Sequence, residues 1–136
     1  MINMLSHTTI CVLDQDEALE FYTQKLGCEV HTDAKLDNFR WLTVTLPSQP
    51  DHQLILFEPG PPAVDEETAG QVKELIAKGA LGPGVLRTDD VKKTYDELSA
   101  RGVTFLSEPG ERAYGIEATM RDNSGNWFSV VQPTEE

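Results

Sequence analysis

Polar and apolar positions alternate through HTTICVL, residues 7–13, which predicts a strand with one face turned to a core. The spacing then changes. In DQDEALEFYTQKLG, residues Ala18, Leu19, Tyr22 and Leu26 recur at helical intervals, and Gly27 supplies the stop. Three more strand-like runs follow, CEVHTDA, FRWLTVTLP and HQLILFEP, which complete a βαβββ unit. After a proline-rich loop, the segment up to residue 82 predicts one short helix, with Asp65, Glu66 and Glu67 at its positive N-terminal end and Lys73 and Lys78 toward its C-terminal end.

From residue 84 the first pattern returns. GVLRTDD reads as a strand ending in acids, VKKTYDELSARG as a helix closed by Gly102, and VTFLSEP, GIEATMRD and NWFSVVQP as strands. The helices superpose at an offset of 75 or 76 residues, and ILFEP superposes on SVVQP at 74. A duplication this long implies two equivalent units that bury faces against each other, not a solenoid of many repeats. The expected organisation is one domain over 1–136: module 1 at about 4–59, a connector over 60–82, and module 2 at about 83–133.

Composition narrows the class without changing that outline. At 136 residues the chain has the length of a single globular domain, and no apolar run approaches a membrane span. MINMLSHTTICVLD lacks the charged and apolar regions of an export signal, so a cytoplasmic setting is expected. Cys11 and Cys28 fall in predicted strands, where small buried hydrophobes fit better than a disulfide. The net charge of −12 has the wrong sign for a nucleic-acid partner. It suits solubility, or attraction of a cationic ligand.

Two tandem βαβββ units carrying D…FYTQKLG after the first strand, DDVKKTYDELSARGV after the fifth and RDNSGNW before the last resemble the vicinal oxygen chelate superfamily. That group holds the glyoxalase, bleomycin-resistance and extradiol dioxygenase families, and the resemblance covers nearly the whole chain. It implies an α+β fold in which the two modules form an open, cleft-enclosing mixed-sheet barrel, a small-molecule ligand in the cleft, and a homodimer. One departure is Asn123, where the family often has proline; a tight turn tolerates it.

The resemblance also implies four metal-ligand positions, on the first and last strands of each module, filled by His, Gln or Glu. His7 matches the first. Aligning Leu56 and Glu58-Pro59 with the family's IELxEP run puts Ile55 at the second, and Glu58, three residues on, should face the other way. His7 maps onto Gly82 or Pro83 in module 2, and Ser129 stands where GNWxEL members carry a Glu. With three of four ligands missing, no cofactor is expected; a divalent metal ion is the alternative.

The expected pocket lining follows from strand alternation. His7, Thr9 and Cys11 share a face, as do Gln53, Ile55 and Phe57, and Trp41, Thr43 and Thr45 oppose a core-facing set of Leu42, Val44 and Leu46. The last strand adds Trp127 and Ser129; GIEATM adds either Ile116, Ala118 and Met120 or Glu117 and Thr119. Arg87 would meet an acidic ligand group or an acid such as Asp89, and Tyr114, in ERAYGIE, would flank the pocket mouth. His31 and His52 are expected at the surface.

Two classes of function remain open. One is a metal-free protein that binds, and sequesters, a small molecule between indole walls. The other is an enzyme: a metal-dependent, glyoxalase-like lyase or isomerase, an extradiol-type dioxygenase, or a metal-free catalyst using His7 as general base with Ser129 or a threonine as donor.

Overall fold

An aspartate starts each helix, because its carboxylate accepts an amide that the first turn leaves unpaired. Asp14 caps α1 (Gln15–Glu20) through the Glu17 amide, Asp65 caps α2 (Glu66–Ala77) through Thr68, and Asp90 caps α3 (Val91–Ala100) through Lys93. The computed structural model describes residues 1–134; the last two residues of the expected domain, 135 and 136, lie outside the described residues.

Helix α1 does not continue at the period its sequence suggests. It widens into a π turn over Phe21–Lys25, in which the Leu26 amide donates to the Phe21 carbonyl. The extra residue in that turn brings two neighbours inside. Phe21 and Tyr22 are both buried, with ring centroids 5.4 Å apart, while Leu19 and Leu26 only pack against the edge of the core.

The strands are β1 (His7–Cys11), β2 (Glu29–Leu36), β3 (Phe39–Thr45), β4 (Gln53–Phe57), β5 (Gly84–Arg87), β6 (Thr104–Arg112), β7 (Gly115–Arg121) and β8 (Trp127–Pro133). They form two four-stranded mixed sheets, ordered β1-β4-β3-β2 and β5-β8-β7-β6, each with one parallel pair, between the first and last strands of its module. The fold is α+β, built of two tandem βαβββ modules whose sheets do not close on each other. Cys28 lies just before β2, outside the strand, and is buried nonetheless.

One core serves both modules. Ile10, Leu42, Val44 and Leu56 from the first sheet, Ala118, Met120, Phe128 and Val130 from the second, and Ala18, Tyr22, Val91 and Leu98 from the helices belong to a single apolar cluster. Each sheet therefore turns its other face away from that cluster, and these outer faces carry the polar and aromatic residues singled out by the sequence.

Polar contacts fix how the modules sit. The β7–β8 loop reaches the end of β1, where Leu13 donates its amide to Ser124 Oγ at 3.0 Å and Asn126 Nδ2 donates to the Cys11 carbonyl at 2.8 Å. Gly125 in that loop packs so closely on α2 that a Cβ there would lie 2.2 Å from the Ile76 carbonyl. The connector helix is thus docked through a position that only glycine can fill.

Candidate functional site

Register places the first half of the site. His7 pairs with Gln53, Thr9 with Ile55, Cys11 with Phe57, and Thr43 with Ile55, so these residues share the outer face of the first sheet with Trp41. The His7 and Trp41 rings approach to 5.9 Å between centroids at 51°, and Phe39 lies 6.4 Å beyond Trp41. Thr43 Oγ1 donates to Gln53 Oε1 at 2.8 Å, and Thr43 is wholly buried at the centre of the sheet. The result is an aromatic wall beside a paired hydroxyl and amide.

The second sheet repeats the arrangement with different chemistry. Ser129 pairs with Val85 and Thr119, Val131 with Arg87 and Glu117, and Trp127 with Arg121. Of the two faces that GIEATM offers, Glu117 and Thr119 accompany Trp127 and Ser129; Ala118 and Met120 are core, and Ile116 packs against it. Trp127 remains 38% exposed, and its indole lies flat against Gly82: a Cβ there would sit 2.3 Å from the ring. Any other residue at 82 would push the indole off the face.

The same registers test the metal quartet. Thr9 faces Ile55 as Val85 faces Ser129, so His7, two positions before Thr9, corresponds to Pro83, two before Val85. The four positions are therefore His7, Ile55, Pro83 and Ser129, one imidazole with no carboxylate or thiolate beside it. Glu58 does not fill the gap. It follows the end of β4, where Oε1 accepts the Gln15 amide at 3.2 Å and Oε2 lies 3.8 Å from Lys73 Nζ. Among the described residues no three His, Cys, Asp or Glu side chains are grouped to hold an ion. This donor set does not fit a divalent metal, which needs converging imidazole or carboxylate ligands.

The remaining candidates lie away from His7. His31 is exposed and bonded to Thr32. His52, expected at the surface, is half-buried on the inner side of the first sheet, between Thr8 and the Leu5 carbonyl. Tyr114 is exposed in the β6–β7 hairpin; its hydroxyl donates to Glu117 Oε1 at 2.8 Å, and that bond raises its pKa. Arg87 stands at the end of β5 and forms no ion pair among the described residues, with Asp89 or any other acid.

Sequence reasoning missed Phe39 and Gly82. Phe39 carries a readable signal, since it shares strand parity with Trp41; the need for a glycine at 82 arises only from where the Trp127 ring lies. Chemically, the outer faces offer stacking surface, hydrogen-bonding groups and one imidazole whose Nδ1 is 2.7 Å from Ser6 Oγ. These groups can stack against, and hydrogen-bond, a small organic molecule.

Comparison with known proteins agrees with this architecture. The family model described as Glyoxalase/Bleomycin resistance protein/Dioxygenase superfamily matches residues 4–130. The solved structure of UcmS2 is 49% identical with a TM-score of 0.93, covering 97% of this chain and 99% of that one. TnmS3, described as an antibiotic binding protein from Streptomyces sp. CB03234, is 28% identical with a TM-score of 0.77, covering 98% of each chain. The Uncharacterized protein YurT of Bacillus subtilis (strain 168) is 35% identical over 125 residues, 92% of this chain and 95% of that protein. With a family match across nearly its whole length and both modules in place, the chain belongs to the Glyoxalase/Bleomycin resistance protein/Dioxygenase superfamily.

Proposed function

We propose that the protein is a metal-free binding protein that sequesters a small aromatic, antibiotic-like molecule on its outer faces. The observation that carries this reading is the quartet His7, Ile55, Pro83 and Ser129, which leaves aromatic and hydroxyl surface where a metal would need ligands. The likeness to TnmS3 supports it. The net charge of −12 favours a cationic ligand, drawn in at long range and held over the faces of Trp41 and Trp127. Because the two outer faces point away from a shared core, enclosing a ligand between them takes a second copy of the chain, so a homodimer belongs to this reading. Two unpaired cysteines suit a reducing, cytoplasmic setting.

A metal-dependent lyase, isomerase or dioxygenase would need three donors that the face lacks. The test is anaerobic calorimetry of chelator-stripped protein with Ni(II), Zn(II) and Fe(II), with His7→Ala as control, followed by tryptophan fluorescence titration against cationic polycyclic antibiotics. The expected result is no stoichiometric metal binding and saturable quenching by at least one antibiotic. Tight metal binding that disappears in His7→Ala would overturn the reading.

A further inference from the structure

Strand register sorts the charged residues of the two sheets by face. Arg87 pairs with Val131, Val131 with Glu117, and Gly115 with Arg112, while Arg121 pairs with Trp127. Arg87, Arg112, Arg121 and Glu117 therefore share the outer face of the second sheet with Trp127. Leu86 points the other way and lines an inner cavity of about 800 Å³. The first sheet differs: its strands carry only Lys35 and Arg40 as basic residues, and these pair with each other on the inner side. Three guanidinium groups against one carboxylate thus give the second outer face a surplus of positive charge, in a chain whose net charge is −12.

That surplus is concentrated at one end. Glu117 accepts the Tyr114 hydroxyl at 2.8 Å, has Arg112 Nε at 3.7 Å, and lies one strand away from Arg87. Arg121 is four residues farther along β7, about 13 Å from Glu117 at strand spacing. It forms no ion pair among the described residues, and its Nε is shielded from water without an acceptor in the protein. Asp122, the next residue, is committed elsewhere, to the Tyr22 hydroxyl and three loop amides.

Arg121 and Trp127 are held side by side. Directly opposed residues on neighbouring strands have Cβ atoms about 5 Å apart. The segment 79–82 backs both: a Cβ at Gly79 would lie 3.4 Å from Arg121 Nη2, as one at Gly82 would meet the Trp127 ring.

We propose that the Arg121–Trp127 corner anchors an aromatic acid, whose ring stacks on the Trp127 indole and whose carboxylate meets the Arg121 guanidinium. This rests on the outer faces being the ligand surface, and it gives that surface a direction. A cationic group belongs over Trp41, whose sheet presents no Lys or Arg on that side, and the anionic group belongs at Trp127. A guanidinium offers paired donors to a carboxylate, and a shielded donor without a partner gains most from an acceptor. The net charge of −12 does not cancel the effect, because distant charges are screened over about 8 Å at physiological salt, whereas Arg121 adjoins the stacking ring.

The test is calorimetric titration of the full chain with 2-naphthoate, 2-naphthylmethanol and 2-naphthylmethylammonium, one ring system bearing a negative, a neutral and a positive group. 2-Naphthoate should bind about tenfold tighter than 2-naphthylmethanol. In Arg121→Gln that preference should vanish while the affinity for 2-naphthylmethanol stays, the sign that the fold and the stacking surface are intact. Arg121→Lys should restore part of the preference, and Lys92→Gln, an equal charge change on the exposed side of α3, should leave it whole. Trp127→Leu should weaken both 2-naphthoate and 2-naphthylmethanol, and Trp41→Leu should weaken 2-naphthylmethylammonium. Equal affinities for 2-naphthoate and 2-naphthylmethanol in the parent overturn the anchor whether or not Arg121→Gln folds. A preference that survives Arg121→Gln, or that is lost equally in Lys92→Gln, also overturns it and leaves the outer-face reading standing. Binding of none of the three probes overturns both.

Discussion

Tyr22 donates its phenolic hydrogen to Asp122 Oδ2 at 2.6 Å, joining residues 100 positions apart in the two modules. Asp122 is 3% exposed and its other oxygen accepts the amides of Ser124, Gly125 and Asn126, so one carboxylate both shapes the β7–β8 loop and ties it to the first module. Tyr22→Phe removes one buried donor and should lower unfolding stability by about 1–3 kcal/mol in urea titration. Asp122→Ala strips three amides of their acceptor and should cost more. Equal midpoints for Tyr22→Phe and the parent would show that the joint is held by packing alone.

The same contact predicts an alkaline limit. Burial first, then the nearby Asp122 charge, raise the Tyr22 pKa well above its ordinary value, and burial pushes the Cys28 thiol up to about 11. Both groups are held protonated in the fold and ionise more readily when unfolded. Their contribution is fully present below the unfolded values, about 8.5 for Cys and 10 for Tyr, and is lost as pH rises toward the folded ones. Urea stability should therefore stay level with respect to these groups through pH 8 and fall from about pH 9 upward, less steeply in Tyr22→Phe. A stability that climbed between pH 9 and 11 in the parent but not in Tyr22→Phe would contradict this assignment.

The two thiols should separate by reactivity. Cys11 is half-buried with a raised pKa, whereas Cys28 is 5% exposed. Iodoacetamide at pH 8 should alkylate Cys11 slowly and leave Cys28 intact until urea is added, as read by peptide mass spectrometry. Alkylation of Cys28 at the faster rate would mean that the segment before β2 opens readily.

Gly82 offers a direct test of the aromatic face. Gly82→Ala places a methyl group 2.3 Å from the Trp127 ring and must move the indole, so tryptophan emission should shift and affinity for an aromatic ligand should fall about tenfold, an effect of roughly 1.4 kcal/mol. Trp127→Phe should weaken the same ligand by a similar factor. If Gly82→Ala changes neither emission nor affinity, Trp127 is not part of the binding surface.

Much of the architecture was legible because period and face are local properties. Alternation identified which residues of β1, β3 and β4 share a side, and the shift between modules identified Ser129 as the partner of Ile55. The π turn at Phe21 was not legible, since a helical wheel assumes a constant period. Nor was Cys28 outside β2, because strand ends depend on partners elsewhere in the chain. For GIEATM the pattern admitted both faces, and only pairing with Trp127 and Ser129 selected Glu117 and Thr119. The half-buried place of His52 is the clearest limit: its ring bonds to Thr8 and the Leu5 carbonyl, and nothing in a strand pattern says where a side chain will find its partner.

Hydrogen bonds between the modules are concentrated at the β7–β8 loop. The Ser124, Gly125 and Asn126 amides are all tied to one buried carboxylate, so they should exchange with solvent deuterium only when the modules come apart as wholes. Across the pseudo-twofold, β5 pairs with β8 on one edge and borders the cavity on the other, so its amides are released by small excursions. Amide exchange should therefore be slow around Asp122 and faster along β5, giving the molecule one slow side and one fast side.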